Sequence, residues 1–462
     1  MDRTTDLRRP LSGADPSPDD RRPFSWTALG LFAGVTLFAY YLWLWLVQGK
    51  PVGGMILLGP LLVMATAPFL IRATRQTPAF DLGGVFLCGL VLRFAFTYYR
   101  FVHATDAWGY HVDGERLATF YRHFDFSAPT NGSVPGTGGM NAISAGVEIL
   151  VNSDFFATFV ITTFLSFIGC WLLYRAFETA VPDGDHYRYA LLIMLMPSMC
   201  FWPSSLGKDA WMVFTVGVAA YGAARVLTRR VGGYTLLAIG LFAASFVRPH
   251  LALLTIIAFL TALLVGRRDT GQRKTITPSF LAKIVGLALV LVIGSVLISR
   301  TQRLLDINDF SSASLDKASA SVTDRTSEGN ATYNAANPRS PFGFAEATVT
   351  VLFRPFPIEA HGTEQLASAF EGVFLIVFTA ASFRRLMTIP RRLRAQPYVM
   401  FALSFVLLWI LVFGIIANFG ILARQRTQMY PFFFVLLSVA AVVAKPQSTD
   451  VDAVPAAQQP LR

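Results

Sequence analysis

The sequence predicts an all-α fold, a polytopic transmembrane helical bundle of about twelve spans with both termini cytoplasmic. Three observations carry this. Of 462 residues, 54% are hydrophobic and 15% are charged, where a soluble domain carries about 25% charged residues. Mean hydropathy is +0.51. Apolar residues fall in blocks of roughly 17 to 22, the length that crosses a hydrocarbon core as a helix. The polar gaps between blocks alternate in charge, as the orientation rule for membrane proteins requires.

The chain opens on a basic cytoplasmic tail, 1–25, with Pro10, Pro16 and Pro18 among Arg8, Arg9, Arg21 and Arg22. It reads as disordered and not as a cleavable signal, because the apolar run after it is long enough to span. The integral membrane domain covers 26–445, with spans expected at 26–47, 54–71, 82–99, 154–174, 189–204, 210–227, 233–247, 250–266, 280–299, 367–383, 397–417 and 428–444. A polar, disordered tail, 446–462, follows. With the N-terminus inside, every second gap must be basic. Those gaps hold Arg72 and Arg75; Arg175 and Arg188; Arg229 and Arg230; Arg267, Arg268, Arg273 and Lys274; and Arg384, Arg385, Arg391, Arg392 and Arg394. A wrong span count would scramble that order. The formal charge of +11 is therefore an orientation signal in an inner or plasma membrane, not a nucleic-acid footprint. Cys88, Cys170 and Cys200 fall inside spans, as packed thiols without disulfide or metal spacing.

The same alternation places outside a link at Lys50, the loop 100–153, the turn SSLGKD at 204–209, RPH at 248–250, the loop 300–366 and ANFGILARQR at 417–426. Residues 130–140 are Gly-rich and expected to be mobile, and 143–156 are apolar enough to lie along the membrane surface. Residues 311–340 hold too few large apolar side chains to bury a core. Past them, VTVLFRPFPIEAHG turns apolar again and heads back toward the membrane. No internal repeat or separate soluble domain is evident.

Nearly every unusual polar group lands on this outer side. In TDAWGYHVDGER (105–116), Asp106 and Tyr110 share a helical face, as do Asp106 and Asp113. A carboxylate shielded by Trp108 and Tyr110 can serve as a general base or hold a divalent cation. Asp106 is the leading catalytic candidate, Asp113 a supporting one, and His111 lies beside the substrate. The bland alternative is a solvated face on which Asp113 and Glu115 pair with Arg116 and Arg122. Asp209 reads as an ordinary acid at a helix start. Lys208 beside it is unfavourable there unless an anion is near, or unless it snorkels to headgroups. Arg248-Pro249-His250 is an abrupt turn that leaves Arg248 as an anion contact, with His250 next to it. Arg424 and Arg426 are two more cations at the outer end of a span, and Arg354 and His361 are similar, with His361 a further catalytic candidate. Guanidinium groups grip phosphate oxygens bidentately, so outward cations suit a lipid mono- or diphosphate that becomes a leaving group. The one cofactor class these carboxylates admit is a divalent cation, Mg or Mn. The expected partners are the bilayer, a lipid-linked sugar donor, and a glycan or lipid acceptor.

The span ending in Arg93 and Tyr98-Tyr99-Arg100, followed by Asp106, Tyr110 and Leu117-Ala118, resembles the first lumenal loop of GT-C type polyprenyl-phosphate-dependent glycosyltransferases. Leu173-Tyr174-Arg175, then a span to Pro197-Ser198 and Phe201-Trp202-Pro203-Ser204-Ser205, is similar to the pattern that follows in that family. The resemblance covers about residues 82–266 and implies inverting sugar transfer, with Asp106 as base or metal ligand. The chain departs from the family in three ways. Two spans precede the acidic loop, Asp106-Ala107 replaces a paired acidic dipeptide, and no C-terminal soluble domain is expected. The span plan with its long loop 300–366 is also similar to O-antigen polymerases and ligases, which implies roles for Arg354 and His361 on a glycan and for Arg248 or Arg424 on phosphates. A transporter or flippase needs ionisable or broken positions mid-span, and ranks below both.

Overall fold

The computed structural model describes residues 24–76, 80–103, 105–266, 294–302, 317, 320–324, 326 and 332–441. Helices α1 (Trp26–Leu46), α2 (Gly53–Gln76) and α3 (Leu82–His103) lead into a hairpin of α4 (Thr105–Tyr121) and α5 (Thr137–Leu150). The chain continues as α6 (Phe155–Ala180), breaks between α7 (His186–Leu195) and α8 (Pro197–Phe201), and resumes as α9 (Lys208–Leu227), α10 (Gly233–Ser245) and α11 (Pro249–Val265). Beyond a helical stretch at 294–302 come α12 (Pro341–Phe353), α13 (Thr363–Ala381), two short turns α14 (Phe383–Leu386) and α15 (Ile389–Arg392), then α16 (Pro397–Phe413), α17 (Phe419–Gln425) and α18 (Tyr430–Ser438). Among the described residues the extended pairing is confined to an isolated bridge between Thr332 and Asn418. The protein is an all-helical, multi-pass membrane protein.

Six helices, α1, α2, α3, α6, α9 and α13, are long and apolar enough to cross a membrane, and α14–α16, bent by 112°, makes a seventh if it is one span. The other expected spans take different forms. The block 189–204 is divided into α7 and α8, while α10 and α11 are helices of 13 and 17 residues. The last block, 428–444, is helical only to Ser438 after a 3₁₀ turn at Arg426–Gln428. Residues 280–293, the tail 446–462, residues 1–23 of the basic tail and most of 303–331 lie outside the described residues.

Helix α9 is the central packing element, between α6 and α10, and small residues let the backbones meet. A Cβ on Gly217 would sit 2.4 Å from Gly169 O, one on Gly169 2.5 Å from Val213 O, and one on Gly240 2.5 Å from Ala219 N. Helix ends are closed by side chains: Asp154 accepts from Ala157 N at 2.7 Å and Asp185 from Arg188 N at 3.0 Å, satisfying N–H groups that helices leave unpaired.

The α7/α8 break follows from Pro197, which lacks an N–H and pushes Met196 to extended backbone (φ −59°, ψ 128°). Carbonyls freed at such a break must find donors inside a membrane protein. Arg93, fully buried, supplies them, donating to Gly89 O (3.0 Å), Met194 O (3.0 Å), Ile193 O (3.3 Å) and Met199 O (3.1 Å). On the other side of the break, Glu371 of α13 accepts from Ser198 N at 2.7 Å and Ser198 Oγ at 2.6 Å. The re-aimed chain delivers the turn 202–207 to the start of α9.

Candidate functional site

The end of α3, the start of α4, the turn before α9, the α10–α11 turn and α17 all meet at one end of the bundle. Asp209, in the first turn of α9, is 1% exposed. A lone buried carboxylate would cost several kcal/mol, and this one is neutralised from two sides. Arg248 Nη2 donates to Oδ1 at 3.2 Å, Gln428 Nε2 donates to the same oxygen at 3.4 Å, and Arg424 Nε donates to Oδ2. Arg424 then reaches on, its Nη1 donating to Asp106 Oδ2 at 3.2 Å. Asp106 and Arg248 are thus joined through Arg424 and Asp209. The Asp209 carboxylate, ahead of the burial that opposes it, holds the Arg424 guanidinium above its ordinary pKa.

Two more cations complete the cluster. Lys208 donates to Thr137 Oγ1 at 3.0 Å, with its ammonium 5.9 Å from the centre of the Tyr110 ring. Arg100, near the end of α3, stacks over Phe201 and Trp202 at 5.1 and 5.2 Å, within electrostatic range of Arg424, Asp209, Glu364 and Asp106. Four cations therefore lie with Asp106, Asp209 and the exposed Glu364, which leaves the cluster net positive. Arg100 Nε and Arg248 Nη1 are buried donors without a hydrogen-bond partner among the described residues. Such donors are costly unless an acceptor reaches them. Burial, then the Asp106 charge, pushes the Tyr110 phenol up to about 12, so it stays a neutral donor. The two carboxylates differ in role: Asp209 is enclosed and its oxygens are occupied, while the Asp106 side chain is 57% exposed.

The structure gathers Asp106, Tyr110, Lys208, Arg248 and Arg424 from the sequence candidates and places the others elsewhere. Asp113 shares no partner with the cluster. It accepts from Arg116 Nε (2.9 Å), Asn131 N (3.1 Å) and Asn141 Nδ2 (2.6 Å), and so ties down the Gly-rich segment 130–140, expected to be mobile. His111 Nδ1 lies 2.7 Å from Glu148 Oε1, and the ring stacks on Phe155 at 4.3 Å. Trp108 also turns to Phe155, at 5.3 Å between ring centres. His250 packs 5.7 Å from the Phe413 ring, and its Nδ1 is buried without a partner among the described residues. Arg354 is bonded to Glu359 at 3.0 Å and covered by Tyr333 and Phe419, each 5.0 Å away. His361 is exposed, with its backbone N–H on Gln365 Oε1 at 2.9 Å. Arg426 parts from Arg424 because α17 tightens into the 3₁₀ turn. It is fully buried and donates to Arg354 O at 2.6 Å.

Sequence reasoning assigned no ligand role to Arg100, Asp209, Glu364 or Gln428. Arg100 carried a usable signal, a cation at the end of a span that the charge alternation assigns outside, the same signal that marked Arg424. Among the described residues no group of three or more His, Cys, Asp or Glu is placed to hold a metal ion. Asp106 and Asp209 are each engaged by the Arg424 guanidinium. Comparison with protein-family models, curated proteins and solved structures gave no match to the chain.

Proposed function

We propose that this chain is a membrane glycosyltransferase that takes sugar from a polyprenyl-(di)phosphate-linked donor at the extracytoplasmic face, for cell-surface polysaccharide or glycolipid assembly. The observation that carries the proposal is the convergence of Arg100, Lys208, Arg248 and Arg424 on one cleft beside an accessible carboxylate. The reading includes about twelve crossings, counting the shorter and divided helices, with both termini in the cytoplasm of an inner or plasma membrane.

In this reading the donor's phosphate binds among the four cations, where Arg100 Nε and Arg248 Nη1 supply unoccupied donors. Asp106 accepts the proton of the acceptor hydroxyl as that oxygen bonds the sugar's anomeric carbon. The bond from that carbon to the phosphate oxygen breaks, and the polyprenyl (di)phosphate leaves with its charge held by the guanidinium groups. Attack opposite the leaving group inverts the anomeric centre. Asp209 has no room for the proton-accepting role and orients Arg248 and Arg424 instead. A polymerase or ligase centred on Arg354 and His361 ranks second, because Arg354 is engaged by Glu359.

The test is transfer of labelled sugar from polyprenyl-phosphate sugar by the purified protein in liposomes. Asp106→Asn is expected to lower the rate by about 10²–10⁴-fold without affecting insertion, and Arg354→Ala and His361→Ala only to weaken it. An Asp106→Asn protein at full rate removes the base assignment. Loss of all transfer in His361→Ala moves the reaction to the 300–366 loop, and movement of intact substrate across the liposome without cleavage makes the protein a transporter.

A further inference from the structure

At the opposite end of the same helices is a second feature that the transfer reading does not use. A cavity of about 310 Å³ opens between α2, α3, α6 and α9, at the lower end of the roughly 300–1,000 Å³ typical of ligand clefts. Its walls are apolar and aromatic. Phe69 packs on Trp171 with ring centres 5.6 Å apart, and Phe86 meets Tyr174 edge-on at 5.2 Å. Its rim carries two arginines and the carboxylate of Glu178, a net positive set. Arg72 lies in the last turns of α2, exposed and without an ion-pair partner among the described residues, and Arg175 lies in the last turns of α6, 2.8 Å from Glu178. Tyr174 lines the cavity, and its hydroxyl is buried without a hydrogen-bond partner among the described residues.

We propose that this cavity binds an anionic glycerophospholipid, its phosphate between Arg72 and Arg175 and the upper part of an acyl chain against Phe69, Phe86 and Trp171. The chemistry selects this occupant over a neutral lipid or a soluble anion. Arginines at the ends of α2 and α6 stand at headgroup level, where each basic residue adds about 1 kcal/mol of attraction for anionic lipid. The space beneath them is lined by rings, which a soluble phosphate would leave uncovered. The Tyr174 hydroxyl supplies a donor for a phosphate or ester oxygen just below the rim, and so gains the partner it lacks.

Native mass spectrometry of the full chain, released from micelles containing equal phosphatidylglycerol and phosphatidylcholine, reads this directly. The wild type is expected to retain phosphatidylglycerol over phosphatidylcholine by about tenfold, unchanged by added inorganic phosphate. Arg72→Gln with Arg175→Gln brings the ratio close to one, and Tyr174→Phe lowers it about threefold. Arg229→Gln with Arg230→Gln, on the same face but outside the cavity, leaves it as in the wild type. Equal retention of the two lipids by the wild type overturns the proposal, as does loss of selectivity in the Arg229/Arg230 pair matching that in the Arg72/Arg175 pair. Displacement by inorganic phosphate overturns it in favour of a plain anion site.

Discussion

Arg424 is the residue through which the cleft is assembled, because it joins a buried carboxylate to an exposed one. It does so with separate donors, Nε toward Asp209 and Nη1 toward Asp106, where a lysine would have to serve both acids from one ammonium. Removing the buried partner should be costly. Asp209→Asn keeps the shape but leaves Arg248 without a counter-charge and Arg424 with only the exposed Asp106, and is expected to destabilise the protein by about 3–5 kcal/mol. Thermal denaturation in detergent measures this, and an unchanged midpoint would mean that the carboxylate is not what holds the two arginines. Arg248 and Arg424 were legible as candidates because they fall in gaps that the charge alternation leaves otherwise poor in basic residues. The division of labour between the acids was not. Asp113 shares a helical face with Asp106 in the sequence pattern, yet Asn131 and Asn141 claim it, and nothing in spacing announces a contact with a residue 28 positions away.

Helices set the geometry of the site through two features, the close packing of α9 and the break before α8. The first depends on residues without side chains. Gly217→Val would drive its Cβ into Gly169 O, 2.4 Å from the built position, and is expected to cost about 3 kcal/mol or to abolish insertion. Folded yield after membrane extraction measures it, and wild-type yield would show that α6 and α9 can separate. The break, set by Pro197, is held by Arg93 and Glu371, which bond backbone groups of the broken segment. Span positions were readable where apolar runs were long and uninterrupted, as in α1, α3 and α6. They were less so at 189–204, because hydropathy averages over Pro197 whereas the backbone does not.

For the whole molecule, one end of the bundle carries a net positive cleft with an accessible carboxylate, and the other an aromatic cavity with an arginine rim. That separation follows from helices that begin at one face and end at the other, so the polar residues at their two ends collect into two sites. Composition alone was enough to mark the chain as a multi-pass membrane protein, and the sign of each gap gave the expectation of which polar residues share a side. Which of those residues would touch was decided by tertiary packing that no periodicity encodes. On the proposed function, Arg100, Lys208, Arg248 and Arg424 grip a lipid-linked phosphate. The most direct measurement is equilibrium binding of polyprenyl phosphate and of the corresponding polyprenol to the purified wild-type protein. Binding of the phosphate at least about tenfold tighter than the alcohol, a difference of about 1.4 kcal/mol, and weakening with salt, is the expected result. Equal affinity for the two would contradict the account.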